Sequence, residues 1–228
     1  MKKFLVIALS TILLSGCKVD MSTSINTDDL LSNQHKLISR NLSIEVPSCN
    51  DFEDSRKDSK TLADLKSKIP TVFTKAEFKE CYKQKFNSFA SFEIPIGVGS
   101  FREDNQLVDA EVYIFSTNDM YIGALMDKGT VSRMDSLKKT MPANLDLELT
   151  LNIVKGKQPM PKTLLMGAYV TNANVNNVPA IMNLLTIGPD GAKLKLSDVS
   201  NSLLTSGRPT PVLVTSSYLK DFLSSLEK

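Results

Sequence analysis

The stretch LDLELTLNIV, residues 145–154, decides the fold class, because apolar and polar side chains alternate along its whole length. One face carries only aliphatic side chains: Leu145, Leu147, Leu149, Leu151 and Ile153. The other face carries Asp146, Glu148, Thr150 and Asn152. A period of two residues is typical of a strand with one buried and one solvated face, as in antiparallel sheets. The stretch therefore predicts an antiparallel sheet with an open face.

Short apolar segments separated by polar turns extend this predicted sheet. They are residues 42–46, 92–99, 108–115, 120–126, 164–170, 181–187, 192–197 and 210–216. We expect 164–170 to pair with 145–154. Gly-Pro-Asp-Gly at 188–191 is a turn sequence, so it predicts a hairpin between 181–187 and 192–197.

Helices are predicted near both ends of the chain. Thr27 can cap a helix through 28–38, and 61–70 and 74–86 are predicted helices. The last of these opens with a capping box, Thr74 and Glu77. Near the C-terminus we expect a short helix from Ser197 or Asp198 to Gly207. A final helix from Ser216 has an apolar stripe of Leu219, Phe222, Leu223 and Leu226.

One segment, 127–141, fits either a helix or a hairpin arm. No repeat, low-complexity tract or linker divides the chain. The fold prediction is therefore a single α+β domain over residues 27–228, with a mainly antiparallel sheet and helices near both ends.

The N-terminal residues have the pattern of an export signal. Lys2 and Lys3 precede an apolar run over 4–14, which is too short to span a membrane. Leu14-Ser15-Gly16-Cys17 follows, and this tetrapeptide resembles the lipobox of bacterial lipoproteins. The resemblance implies that residues 1–16 are a signal peptide and that Cys17 receives a diacylglyceryl thioether and an acylated amino group. The alternative is a plain secreted protein with an incidental cysteine.

Lipid on Cys17 would give the chain a lasting membrane attachment, since one acyl chain binds reversibly but two or three do not. In lipoproteins of this kind, an Asp directly after the lipidated cysteine favours retention in the inner membrane. This chain has Lys18 at that position, so the resemblance implies the periplasm-facing leaflet of the outer membrane. Residues 17–26 are either a short tether or the first strand, because Val19, Met21, Thr23 and Ile25 alternate with polar residues.

Cys49 and Cys81 remain as an even pair once Cys17 is assigned to lipid. A metal pair or a catalytic thiol is disfavoured, because the chain has one histidine and no Cys-x-x-Cys. An oxidising envelope compartment favours one structural disulfide between them. Closing this loop would stabilise the fold by about 3–4 kcal/mol in the chain-entropy account.

Charge argues against a nucleic-acid partner. Two of the 27 basic residues lie in the signal segment, which leaves 25 against 25 acidic residues. Proteins that bind nucleic acids need a net basic face to neutralise phosphates.

The sequence offers little for catalysis, and we expect no enzymatic activity, no cofactor and no metal site. His35 is the sole histidine, no nucleophile motif accompanies it, and we expect it on the surface. The Ser-x-x-Lys matches at 136–139 and 217–220 lack their companion motifs in order, since Lys-Gly-Thr at 128–130 lies upstream.

Two further patterns are weak. Asp146 and Glu148 are spaced like paired catalytic carboxylates, but the solvated side of a strand whose other side is leucine is the favoured explanation. Gly-Val-Gly-Ser at 97–100 lacks the third glycine of a dinucleotide loop.

Two functions remain from the sequence. In the first, the protein is a non-enzymatic binding or accessory component of the cell envelope, with an envelope or phage-related protein as its partner. In the second, an apolar groove carries a lipid or another hydrophobic ligand, which the nine methionines permit. Membrane lipid through acylated Cys17 is the expected contact in both cases, and no ligand-binding residue is predicted.

Overall fold

The computed structural model describes residues 17–102, 108–140, 145–159, 161, 164–166, 183–185, 191–215 and 224. These residues form eleven strands of one sheet and four helices. The strands are β1 (Cys17–Asn26), β2 (Lys36–Val46), β3 (Glu77–Gln84), β4 (Asn87–Ser100), β5 (Val112–Ser116), β6 (Met120–Met126), β7 (Leu145–Val154), β8 (Leu164–Met166), β9 (Asn183–Leu185), β10 (Ala192–Lys195) and β11 (Thr210–Val214). The helices are α1 (Thr27–Leu30), α2 (Lys60–Val72), α3 (Lys128–Thr140) and α4 (Asp198–Thr205).

The sheet is mixed, with the order β10-β7-β1-β2-β4-β5-β6-β11-β8-β9 and with β3 paired to β4. β1 runs parallel to β7, and β4 runs parallel to β5. The prediction of a mainly antiparallel sheet with helices near both ends is therefore wrong: the fold is mostly β, and α3 lies in mid-chain. Alternation of side chains records which face of a strand is buried, but not the direction of its neighbour.

The stretch that opened the sequence analysis forms the strand β7. Leu147, Leu149, Leu151 and Ile153 are all buried, as predicted. Its neighbours differ from the prediction, because β7 pairs with β1 and β10, whereas β8 pairs with β11 and β9. Among the described residues, β9 pairs with β8 and β10 pairs with β7, and residues 186–190 of the predicted hairpin lie outside the described part.

Gly191 shows why β10 can lie against β7. Its φ is +79°, and an added Cβ would lie 1.9 Å from the carbonyl oxygen of Ile153. Only glycine fits this position without moving the backbone of β7.

The helix predicted over 74–86 is wrong, because Glu77–Gln84 form β3 in a hairpin with β4. The register shifts between Phe78 and Glu80, which disrupts the alternation that would have marked a strand. β3 pairs with β4 alone among the described strands, and its charged side chains suit an exposed sheet edge. Thr74 caps no helix; its N–H and hydroxyl both donate to Glu111 Oε1.

The N-terminal helix is shorter than predicted. α1 ends at Leu30, and its N-cap is Asn26, whose side chain accepts from the Asp28 N–H at 2.8 Å, rather than Thr27. Helices at 61–70 and 198–205 are confirmed by α2 and α4, and the ambiguous segment 127–141 contains α3. The predicted C-terminal stripe from Leu219 to Leu226 lies outside the described residues.

The core lies between one face of the sheet and the helices. α2 buries Leu62, Leu65, Ile69 and Val72, and α3 buries Met134 and Leu137. Where α2 and α3 meet β1, β2 and β7, the enclosed cavity is about 20 Å³, which is room for about one water molecule.

Two cross-links fix the edges of this core. A disulfide joins Cys49, just after β2, to Cys81 in β3. At another edge of the core, Arg133 of α3 donates a hydrogen bond to Glu111, which directly precedes β5. The distance from Arg133 Nη2 to Glu111 Oε1 is 2.5 Å. Residues 17–26 form strand β1, so of the two alternatives for this segment the structure has the strand.

Candidate functional site

A polar groove of about 560 Å³ lies on the sheet face formed by the polar side chains of β1 and β2. The register places Asp20 opposite Ser43 and Ser22 opposite Asn41. Hydroxyl, amide and aromatic groups from five strands line this polar groove: Asp20, Ser22, Ser24, Ser39, Arg40, Asn41, Ser43, Tyr82, Gln84, Phe89 and Asn152. Such a lining offers many hydrogen-bond donors and acceptors on a rigid scaffold.

Arg40 is held in place at the polar groove. Its Nε donates to the Thr23 hydroxyl at 2.9 Å, and its two terminal nitrogens donate to the carbonyl oxygens of Ser39 and Ser24 at 2.8 Å each. These three bonds tie the guanidinium to β1 and β2 on the side of the buried Thr23, so Arg40 fixes the strands at one end of the polar groove.

Asp20 supplies an unpaired acceptor to the same groove. Its Oδ1 is buried, and no described group donates a hydrogen bond to it. A buried acceptor without a donor costs about 1–3 kcal/mol, so a ligand N–H or O–H at this position gains more than it would at an exposed carboxylate.

Tyr82 and Phe89 form an aromatic wall. Their rings stack with centroids 5.6 Å apart, and the Tyr82 hydroxyl lies 3.4 Å from the Ser43 hydroxyl. The polar groove can therefore bind by hydrogen bonding and stacking. None of its lining residues is a cysteine or a histidine, so a thiolate or an imidazole base is absent from that lining.

Glu148, one of the two carboxylates that the sequence singled out, forms two ion pairs. It accepts from Lys195 Nζ at 2.6 Å and Lys18 Nζ at 3.0 Å. Burial raises the pKa of Glu148, but the hydrogen bonds from Lys195 and Lys18 outweigh it and hold the pKa below its ordinary value. The bridge joins β7 to β10 and β1. The side chain of Asp146 lies outside the described set.

His35 is half-buried, so its prediction as a surface residue is wrong. Its Nε2 lies 2.8 Å from the carbonyl oxygen of Ser100, and its ring contacts the Phe101 ring at 5.2 Å. A Cβ on Gly99 would lie 2.2 Å from the imidazole, so the glycine makes room for the ring. Gly97 and Gly99 are thus interior positions of β4 beside aromatic rings and form no phosphate loop.

The Ser-x-x-Lys match at 136–139 lies within α3. The Ser136 hydroxyl donates to the carbonyl oxygen of Ser132 at 2.9 Å, which is ordinary helix geometry. Lys-Gly-Thr at 128–130 begins the same helix, where Asp127 accepts from the N–H groups of Gly129 and Thr130. The match at 217–220 lies outside the described residues. Within the described ranges, no group of three or more potential metal ligands comes together.

Cys17 is the first residue of β1, and its backbone pairs with Leu145 of β7. Asp20 of the polar groove is three residues further along this strand, so the polar groove begins roughly 10 Å from the predicted lipid site. Among the helices that the structure describes, none has the length and apolar character to span a bilayer.

Sequence reasoning missed the polar groove for an identifiable reason. The alternation of residues 19–25 indicates a strand, but it does not show that the polar positions line a groove. The predicted helix over 74–86 contains Tyr82 and so separates it from Phe89 and from the hydroxyl groups that it faces.

A family model described as "Domain of unknown function (DUF7424)" matches residues 19–218. The match begins two residues after Cys17 and takes in every strand from β2 to β11. No curated protein matches the chain, and no solved structure matches it.

Proposed function

We propose that this chain, which belongs to the family of the domain of unknown function DUF7424, is a non-enzymatic binding component of the bacterial cell envelope. Lipid on Cys17 holds it at the membrane, in the periplasm-facing leaflet of the outer membrane. The polar groove is its binding surface, and its partner is another protein of the envelope.

The anchor proposal is supported by the lipobox-like residues 14–17 and by the position of Cys17. Because β1 begins at this residue, no flexible tether separates the lipid from the folded sheet. The domain is therefore held against the bilayer, and its partners are molecules that come close to the membrane surface.

The observation that carries the binding proposal is the polar groove with its unpaired Asp20 Oδ1 and its Tyr82–Phe89 stack. An extended polar segment of a partner protein fits this chemistry, because its N–H groups can donate to Asp20 and its carbonyl groups can accept from Asn41 or Gln84. An aromatic or aliphatic side chain of the partner can lie against the Tyr82–Phe89 stack.

The carrier function predicted as the alternative finds less support. An acyl chain needs a cavity or groove of a few hundred cubic ångströms with apolar walls. The enclosed space between α2, α3 and the sheet is about 20 Å³, and the large groove on the other face is lined mainly by polar groups.

Filling the polar groove is expected to abolish partner binding without unfolding the protein. Ser22 is exposed and lines the polar groove, so Ser22→Arg places a bulky cation inside it. We expect capture of the partner, measured by in-cell photo-crosslinking from a photoreactive residue at Gln84, to fall roughly tenfold, a loss of about 1.4 kcal/mol.

Ser136→Arg is the matched control, since Ser136 is an exposed serine on α3, away from the polar groove. It should leave crosslinking unchanged. Equal adduct yields from Ser22→Arg, Ser136→Arg and the unaltered protein would assign the partner to a different surface.

A further inference from the structure

We propose that the tip of the β3–β4 hairpin is a membrane-contacting element, in which Phe86 enters the lipid interface beside the acylated Cys17. This inference rests on the proposed anchor and adds a second, protein-made contact to it. Phe86 is fully exposed, with an accessibility of 103% of its reference value. Single exposed apolar residues are common on soluble surfaces, so the position and the surroundings of Phe86 carry the argument.

The sheet register brings the hairpin tip to the same end of the molecule as Cys17. β1 and β2 pair with Val19 opposite Ile44. Extending this antiparallel register by two residues along each strand brings Cys17 level with Val46. Val46 pairs with Ser88 of β4, and Ser88 pairs with Lys83 of β3. We call this row of four residues the anchor end.

Phe86 projects beyond the anchor end. The last pair of the hairpin is Gln84 with Asn87, which leaves Lys85 and Phe86 to form the turn. Lys85 has φ +56°, the left-handed conformation of a tight turn. With strands about 4.8 Å apart, the turn lies roughly 10–14 Å from the Cys17 backbone. A bilayer that holds lipid on Cys17 is therefore within reach of Phe86.

The charge around Phe86 suits an anionic lipid surface. Lys83 ends the strand before the turn and Lys85 lies in the turn itself; both are exposed, and residues 82–89 include no carboxylate. Basic residues at an anionic bilayer contribute about 1 kcal/mol each, and aromatic side chains favour the headgroup region. An aromatic residue that closely follows two exposed lysines combines both effects, as interfacial membrane segments do.

Phe52 has the opposite surroundings and serves as a comparison. It is 99% exposed, in the loop that follows β2 from the anchor end. Asp51 and Glu53 flank it directly, and their carboxylates are repelled by anionic headgroups. A second comparison is Leu37, which is 49% exposed and lies near the start of β2. Nine residues of strand separate Leu37 from Val46, or roughly 30 Å.

The chain contains no tryptophan, so one introduced indole reports on one position. The mature acylated protein would be reconstituted in vesicles of phosphatidylethanolamine and phosphatidylglycerol as Phe86→Trp, Phe52→Trp or Leu37→Trp. We expect the emission of Phe86→Trp to shift to shorter wavelength and to be quenched by lipids brominated near the headgroup. Phe52→Trp and Leu37→Trp should keep the emission of a solvated indole.

Charge reversal tests the same contact without changing the fluorophore position. Adding Lys83→Glu and Lys85→Glu to Phe86→Trp should reduce the quenching strongly in these vesicles. If Phe86→Trp has the same emission as Leu37→Trp and is not quenched, the inference is overturned. A Phe86 that contacts a protein and not the bilayer would give this result. The intact mass of each sample shows whether Cys17 carries lipid, so a failed anchor is distinguished from a failed Phe86 contact.

Discussion

Replacing Glu111 with alanine is expected to lower the free energy of unfolding by about 3 kcal/mol. The Glu111 side chain is 9% exposed and forms an ion pair with Arg133 of α3. Its Oε1 also accepts from the backbone N–H of Thr74 at 2.9 Å and from the Thr74 hydroxyl at 3.0 Å. One carboxylate thereby holds together the start of β5, the helix α3 and the segment between α2 and β3.

The expected loss follows from what alanine leaves behind. Arg133 would keep its bond from Nε to the carbonyl oxygen of Val72, but its charge would be uncompensated, and the Thr74 N–H would lose its acceptor. Breaking a buried pair from one side costs about 3–5 kcal/mol. Arg133 is 34% exposed, and this partial solvation places the effect at the lower end of that range.

Urea unfolding followed by circular dichroism measures this loss, with Glu111→Gln as the matched variant. Glutamine retains an oxygen that can accept from Thr74, so its loss should be clearly smaller. A cycle with Arg133→Met isolates the ion pair from the Thr74 contacts. If Glu111→Ala and the unaltered protein unfold within about 0.5 kcal/mol of each other, as surface variants do, the carboxylate has no such structural role.

Removing the disulfide with the paired change Cys49→Ser and Cys81→Ser is expected to cost about 3–4 kcal/mol. The bond closes a sequence separation of 32 residues. That loop contains α2, whose Leu62, Leu65, Ile69 and Val72 are buried against the sheet. An open loop gains conformational freedom in the unfolded chain, which lowers stability even if the folded contacts are unchanged.

A reducing agent gives an independent measurement of the same quantity. It should destabilise the unaltered protein by a similar amount and leave the paired serine variant unaffected. Sensitivity of the serine variant to the reductant, or equal stability of the two proteins, would show that the Cys49–Cys81 bond does not constrain the fold.

The sequence was most informative where a local period matched the buried face. Residues 145–154 are correctly predicted as a strand from their alternation, and 120–126 from a short apolar segment between polar turns. Residues 61–70 are correctly predicted as a helix. The cysteine pair followed from counting. In these cases the information needed lies within about ten residues.

Non-local pairing could not be inferred in the same way. β1 and β7 are parallel neighbours although more than a hundred residues separate them, and each would look the same beside an antiparallel partner. The segment 74–86 is rich in Lys and Glu, which favours a helix locally, but pairing with β4 and the Cys81 bond outweigh that preference. Because Tyr82 and Gln84 of β3 line the polar groove, a predicted helix in this segment also prevents prediction of the groove.

Attachment at Cys17 is the claim on which the proposed location, the nearby polar groove and the Phe86 contact all depend. The most direct measurement is the mass of the N-terminal peptide of the protein purified from membranes, beside the same peptide from a Cys17→Ser variant. We predict a chain that begins at Cys17 and carries a diacylglyceryl thioether and an acylated amino group, with no lipid on the serine variant. A peptide with an unmodified Cys17, or a mature chain that begins elsewhere, would contradict this account.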